Sequence, residues 1–435
     1  MNPKRRRLSS SKPSLTKNPE PDWSELQPEL LQLILSKLSF IQILRFKAVC
    51  SSWHSVANYF LSSSYFTPFS RPPLLLLPAN QEQHDSDTRC LFSLEDQKKY
   101  YIKNIGKKLG EDSWCIGSSH GWLVVLDNEA IPFLLNPFSQ SQIQLPLLDF
   151  SKFGVRKSYF IDYLRKVSIT KAVLLSAPSN NNYNNYNTVV LMYGYRSTRL
   201  AFCKIGDSAW STVLDGVSNN NQDYCDIICF NDLVYALTVN ISIEVWDFSA
   251  SLPRKKSVIH ASIPRTMTEA IETYRGSHFS RSYLVESCGE ILFIIRFIGN
   301  FVNQEGEVVD EEYLLSDADT QPLVCPYRTK NFHVYKLDGR EQKWVEVESL
   351  KNQALFIGGN HSMSVSGQDF SGFEKNCIYF TDDNWEQMNE DYLYGGHDLG
   401  KFNLEEKIVK PFCEFDDLDE SKIDPPPFWI FPNPW

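Results

Sequence analysis

Between Leu30 and Leu61, 20 of 32 residues are apolar. On a helical wheel Leu30, Leu31, Leu33, Ile34, Leu35 and Leu38 spread over an arc of roughly 200°, interrupted only by Lys37, whereas a surface helix needs a stripe of roughly 100°. A helix of about 11 residues is marginal alone, and helical units of about 40 residues rarely stabilise themselves. The surplus apolar surface therefore requires a cover, either elsewhere in the chain or on another protein.

Pro28 suits the first turn of a helix, where its missing N–H costs nothing, and the spacing predicts a helix over 28–37. Ser39 and Phe40 break the pattern, and a second helix is expected over 41–48. Ser51 and Ser52 offer a cap for a third, in which Trp53, Val56, Ala57 and Phe60 repeat at helical spacing. Pro68, Pro72 and Pro73 then mark a linker, beyond which the 3.6-residue period disappears.

From Leu74 onward short β-branched and aromatic runs alternate with Gly, Asn, Asp and Pro. Examples are 121–126, 188–193, 233–238, 241–246, 290–297, 332–337, 344–347 and 377–380. A weak repeat, seen at 230–248 and 287–347, divides 74–434 into about six units, as expected for blades of four antiparallel strands. The aromatic close at 425–435 (PPPFWIFPNPW) reads as a last strand completing the first blade. The expected fold is α+β multidomain: a basic, disordered tail (1–20), a small three-helix module (21–65), a Pro-rich linker (66–73) and an all-β propeller of about six blades (74–435). The segments 180–187, 218–222, 299–326 and 414–424 read as polar insertions.

The chain of 435 residues carries a net charge of −10, but its first twenty residues sum to +5, leaving −15 on the rest. An acidic body argues against a broad nucleic-acid footprint. Ten cysteines are scattered without C-x-x-C or zinc-finger spacing, which suits free thiols in a reducing compartment. Runs such as 291–295 are far short of the roughly 20 residues needed to cross a bilayer, so no membrane partner is expected. The run Lys4, Arg5, Arg6 and Arg7 is compatible with nuclear import, giving an expected location in the nucleus, the cytoplasm or both.

Trp23, Leu26, Pro28, Leu30, Leu31, Ile34, Leu38, Leu44, Phe46, Val49, Cys50 and Trp53 stand in an order and spacing through which the helical module resembles the F-box. Gln27 stands where the family usually has Pro, and Ile41 where many members carry Asp. The remainder resembles the plant F-box proteins with a KIB-type propeller, through 117–127 (GSSHGWLVVLD), 133–146, 376–383 and 427–435. The resemblance implies a substrate-recognition subunit of an SCF-type ubiquitin ligase. Its partners would be a Skp-family adaptor, through it cullin and RING subunits, and an unidentified protein substrate held by the propeller. It places Leu26, Pro28, Leu30, Leu31, Ile34, Leu38, Val49 and Trp53 in a set that faces the adaptor or supports the interface.

No phosphate loop, H-E-x-x-H or G-x-S-x-G occurs, so no catalytic residues, metal or cofactor are expected. His120-Gly121-Trp122 reads as a held turn, Thr381-Asp382-Asp383 as a turn cap, and Gly395-Gly396-His397 as an ordinary loop. Two alternatives remain open at this point. One is a binding module, such as a kinase inhibitor, working without ubiquitin transfer. The other is an enzyme or glycan-binding propeller, which a convergent polar cluster in the central channel would favour.

Overall fold

The computed structural model describes residues 22–63, 71–77, 88–103, 105, 108–109, 113–149, 161, 164–178, 187–194, 198–213, 223–303, 306–310, 312–313, 327–367, 372–389, 395–412 and 423–433. The chain divides into two compact units, Met1–Thr67 and Pro68–Trp435. The basic tail, 218–222 and most of 180–187 and 414–424 lie outside the described residues.

The first unit opens with a 3-10 turn, Trp23–Glu25, capped by the Asp22 carboxylate, which accepts from the Ser24 N–H. Three helices follow: α1 (Pro28–Leu35), α2 (Phe40–Lys47) and α3 (Ser51–Ser62). Helices α1 and α2 both pack on α3. Helix α1 stops two residues short of Lys37, with Ser36 as its C-cap. Ser39, expected to break the pattern, instead starts α2. Its hydroxyl accepts from the Gln42 N–H, and the Gln42 side chain accepts from the Ser39 N–H. This reciprocal box satisfies two end donors, so Ile41 in place of Asp does not weaken the cap. Cys50, not Ser51 or Ser52, occupies the N-cap of α3, without a side-chain cap bond.

The second unit is a six-bladed propeller. Blade 1 contains β1 (Leu74–Leu77), β2 (Arg89–Ser93) and β3 (Lys98–Ile102). Blade 2 contains β4 (Trp114–Ser119), β5 (Trp122–Leu126), β6 (Pro132–Asn136) and β7 (Ser141–Gln144). Blade 3 contains β8 (Ile169–Leu174), β9 (Thr188–Tyr193), β10 (Arg199–Lys204) and β11 (Ser211–Thr212). Blade 4 contains β12 (Tyr224–Phe230), β13 (Leu233–Thr238), β14 (Ser242–Asp247) and β15 (Arg254–His260). After α4 (Arg265–Thr273), blade 5 contains β16 (His278–Ser287), β17 (Glu290–Gly299), β18 (Arg328–Asp338) and β19 (Lys343–Glu346). Blade 6 has five strands: β20 (Gln353–Gly358), β21 (His361–Ser366), β22 (Cys377–Phe380), β23 (Gly400–Asn403) and β24 (Ile408–Lys410), with α5 (Trp385–Asn389) between β22 and β23.

The chain's last strand, β25 (Phe428–Ile430), returns to blade 1 and pairs antiparallel with β1, Leu74 opposite Ile430 and Leu76 opposite Phe428. It also meets β4 and β20, closing the ring as the sequence led one to expect. Asn360 clasps it from blade 6, donating to the Trp429 carbonyl (2.7 Å) and accepting from its N–H (3.3 Å). The core lies between blades. Leu75, Phe92, Phe356, Tyr379 and Trp429 join blades 1 and 6, and Val285, Phe332, Leu355 and Phe380 join blades 5 and 6.

Two-residue hairpins such as His120-Gly121, Asn231-Asp232 and Cys288-Gly289 have positive φ at both positions, which matches the twist of the paired strands. Gly121 is also fixed by space, since a Cβ there would lie 2.4 Å from the Asn433 Cβ. Pro72 and Pro73, expected in a linker, are buried at the entry to β1. The segment 299–326, expected as an unpatterned insertion, includes a bridge between Val302 and Val308, with Val302 buried. No helix among the described residues is long and apolar enough to cross a membrane.

Candidate functional site

The arc of α1 splits into two stripes. Leu31 and Leu35, one turn apart, are buried. Leu30, Leu33 and Ile34 are 48%, 62% and 39% exposed, and Val49, after α2, is 59% exposed. The inner stripe serves the helical unit's own core, and the outer stripe is the surplus that the sequence demands be covered. Leu33 belongs to this outer stripe although the motif does not single it out. Pro28 is exposed at the first helical position, and Leu26 and Leu38 are half-buried. Leu31 and Trp53 hold the unit together. Trp53 stacks on Phe46 at 4.3 Å and donates its indole N–H to the Trp23 carbonyl at 2.9 Å. Lys4, Arg5, Arg6 and Arg7 lie outside the described residues.

The propeller's channel is crossed by an ion pair. Lys171 of β8 meets Asp226 of β12 at 2.5 Å and the Ser362 hydroxyl of β21 at 3.3 Å. The other Asp226 oxygen accepts from the Leu284 N–H of β16 at 2.7 Å. Four blades are thus tied at one point. Burial pushes the Asp226 carboxyl up, against the pull of Lys171. The first halves of β8, β12 and β16 line a cavity of about 460 Å³, and their second halves line one of about 230 Å³. In the smaller cavity burial lowers the His120 and His361 imidazoles, His361 well below its usual value with Lys171 and His120 adding to the effect. Among the described residues no group of His, Cys, Asp and Glu could hold a metal ion.

A second charged cluster joins blades 5 and 6. Arg296, on β17, contacts Asp383 (3.1 Å) and Asp398 (2.9 Å) and donates to the Thr381 carbonyl (2.9 Å) and the Thr329 hydroxyl (2.7 Å). Its guanidinium also lies over the Phe380 ring. Asp382 accepts from the Tyr327 hydroxyl and from the N–H groups of Asn384, Gly396 and Asp398. Burial, reinforced by Asp398, raises its carboxyl. Burial and Asp383 hold the Tyr283 hydroxyl well above its usual value, so it stays protonated and donates to Asp383 at 2.6 Å. Thr381-Asp382-Asp383 therefore does more than cap a turn, and Gly396 is part of the same knot rather than ordinary loop. His120-Gly121-Trp122 is a held turn, the His120 carbonyl accepting from Asn433.

Sequence reasoning missed Arg296, Lys171 and Asp226. Each is a charge set within an apolar strand, ILFIIRFIG, ITKAVL and YCDIICF. That setting is itself a clue, because a charge is seldom placed there without a buried partner.

The sequence profile of the KIB1-4 beta-propeller matches residues 91–403, and that of the F-box domain matches 23–62. The chain is similar to F-box protein SKIP23 of Arabidopsis thaliana, 26% identical over 432 residues, 94% of this chain and 95% of that protein. It is also similar to F-box/kelch-repeat protein KIB1 of the same plant, 26% identical over 391 residues, 90% of this chain and 85% of that protein. Among solved structures, the N-terminal domain of Nup159 is 10% identical with a TM-score of 0.29, covering 82% of this chain and 78% of that one, a likeness too loose to carry an argument. With 72% of its length matched by one profile and its helical unit by the other, the chain belongs to the KIB1-4 beta-propeller family and carries an F-box ahead of the propeller.

Proposed function

We propose that this chain is the substrate-recognition subunit of an SCF-type ubiquitin ligase. Its F-box docks on a Skp-family adaptor, through which cullin and RING subunits are recruited, and its propeller holds a protein target for ubiquitination. The observation that carries this reading is the outer stripe of Leu30, Leu33, Ile34 and Val49, apolar and exposed while the unit's own core is filled by Leu31 and Leu35. The chain's contribution is proximity, which converts a bimolecular encounter between target and conjugating enzyme into a near-intramolecular one. We further propose that the basic run at 4–7 directs the chain to the nucleus.

The test replaces Leu30 and Ile34 together with Ala and measures affinity for a purified Skp-family adaptor. Two anchors at about 2 kcal/mol each give a loss near a thousandfold, with little change in unfolding of the free protein. Leu31→Ala is the contrasting variant. It should cost about 2–5 kcal/mol of module stability, because it empties a packed position. If the exposed pair leaves adaptor affinity unchanged, the docking face is misassigned.

A further inference from the structure

Propeller blades end in an outer strand whose far side has no neighbour. Here the outer strands β3, β7, β11, β19 and β24 have 5, 4, 2, 4 and 3 residues, whereas β15 has 7. The edge of β19 is partly taken, since Ser262 donates to the Gln342 carbonyl and accepts from the Trp344 N–H. Strand β15 pairs with β14 on one side and faces no strand among the described residues on the other. It is held from within. Ile259 packs on the core between blades 4 and 5. Lys255 reaches the buried Glu244 at 2.8 Å and lies over the Trp246 ring. The exposed side chains are Arg254, Lys256, Ser257, Val258 and His260.

We infer that β15 is a strand-addition site for an extended acidic segment of a partner protein. The edge bulges once, at Lys256, which is skipped in the pairing with Val245 and Trp246, and the residues on either side of the bulge offer backbone donors and acceptors, with alternate side chains setting specificity. The cations decide the occupant. Lys256 meets Asp247 at the surface, and Arg254 has no acidic partner among the described residues. Pairing two copies of β15 would place two Arg254 side chains, neither with an acidic partner among the described residues, on one ribbon beside the paired lysines, and like charges oppose such self-association. An acidic strand relieves that crowding, and an acidic body disfavours its landing elsewhere. Val258, 38% exposed among these cations, gives the added strand one apolar contact. The inference rests on the ligase reading and names the feature of the target that the propeller would grip.

The probe is a fluorescent nine-residue peptide of alternating Glu and Val, titrated into the full-length protein. The comparators are a Lys–Val peptide and two Glu–Val peptides N-methylated at alternate positions in opposite phase. Expected are binding of the acidic peptide, about tenfold weaker binding of the basic one, and loss on methylation in only one phase, because a strand pairs through every other N–H. Arg254→Glu should weaken the acidic peptide about fivefold and strengthen the basic one, with the unfolding midpoint unchanged. Binding indifferent to N-methylation, or to Arg254→Glu, overturns strand addition. So does a dimer of the full chain that Arg254→Glu tightens, because removing like charges favours self-pairing of β15. Failure to bind the peptide by protein that still captures a Skp-family adaptor overturns this site and leaves the ligase reading intact; peptide binding without adaptor capture does the reverse.

Discussion

At the scale of single residues, the weightiest side chain in the propeller is Arg296. It is fully buried, and the Asp383 and Asp398 carboxylates sit against it. Replacing a whole buried ion cluster with apolar residues can be neutral, but removing one partner strands the others. Arg296→Met should therefore cost about 3–5 kcal/mol, measured by denaturant unfolding of the propeller at neutral pH. The loss should shrink on acidification, because neutral carboxyl groups are cheaper to bury than charged ones. The sequence shows Arg296 only as an oddity in a greasy strand, since its carboxylate partners lie 87 and 102 positions away. The F-box motif is different. Its residues are close in sequence, and Trp53, Pro28 and Leu30 are recognisable at once. What the helical wheel could not reveal is which leucines turn inward, because that depends on where α3 lies against α1.

At the scale of elements, strands read more faithfully than helix ends. The stretches 188–193, 233–238 and 377–380 are strands with the bounds their pattern suggests. Helix boundaries depend on side-chain hydrogen bonds at the caps. Ser39 was legible as a serine near a break but not as half of a reciprocal pair with Gln42. Ser39→Ala should lower the stability of the F-box unit by about 1 kcal/mol, seen as a lower unfolding midpoint of the helical signal. Asp at position 41 would add little, because the cap is already complete. Should Ser39→Ala leave that midpoint unmoved, the box contributes nothing in solution.

At the scale of the whole molecule, six sheets close into a ring through β25, an architecture already legible in the weak repeat of the sequence. The polar ties across the ring were not visible, because Lys171, Asp226, Leu284 and Ser362 come from four blades. Phe428, Trp429 and Ile430 are all buried, and losing them forfeits about 2 kcal/mol or more each. That sum is comparable with the 5–15 kcal/mol of a typical domain. Protein ending at Pro427 should therefore lose cooperative unfolding of the propeller, checked by calorimetry; a sharp transition near the original temperature would contradict this. The strand also sets an order of events during synthesis. While the ribosome is still at work on the last blade, β1 lacks its inner neighbour and the Asn360 amide lacks Trp429. A message cut short, or a protease acting ahead of Phe428, leaves an open arc with a greasy seam, the kind of product that cellular quality control removes. Only a chain translated through Ile430 can complete the first blade and close the ring.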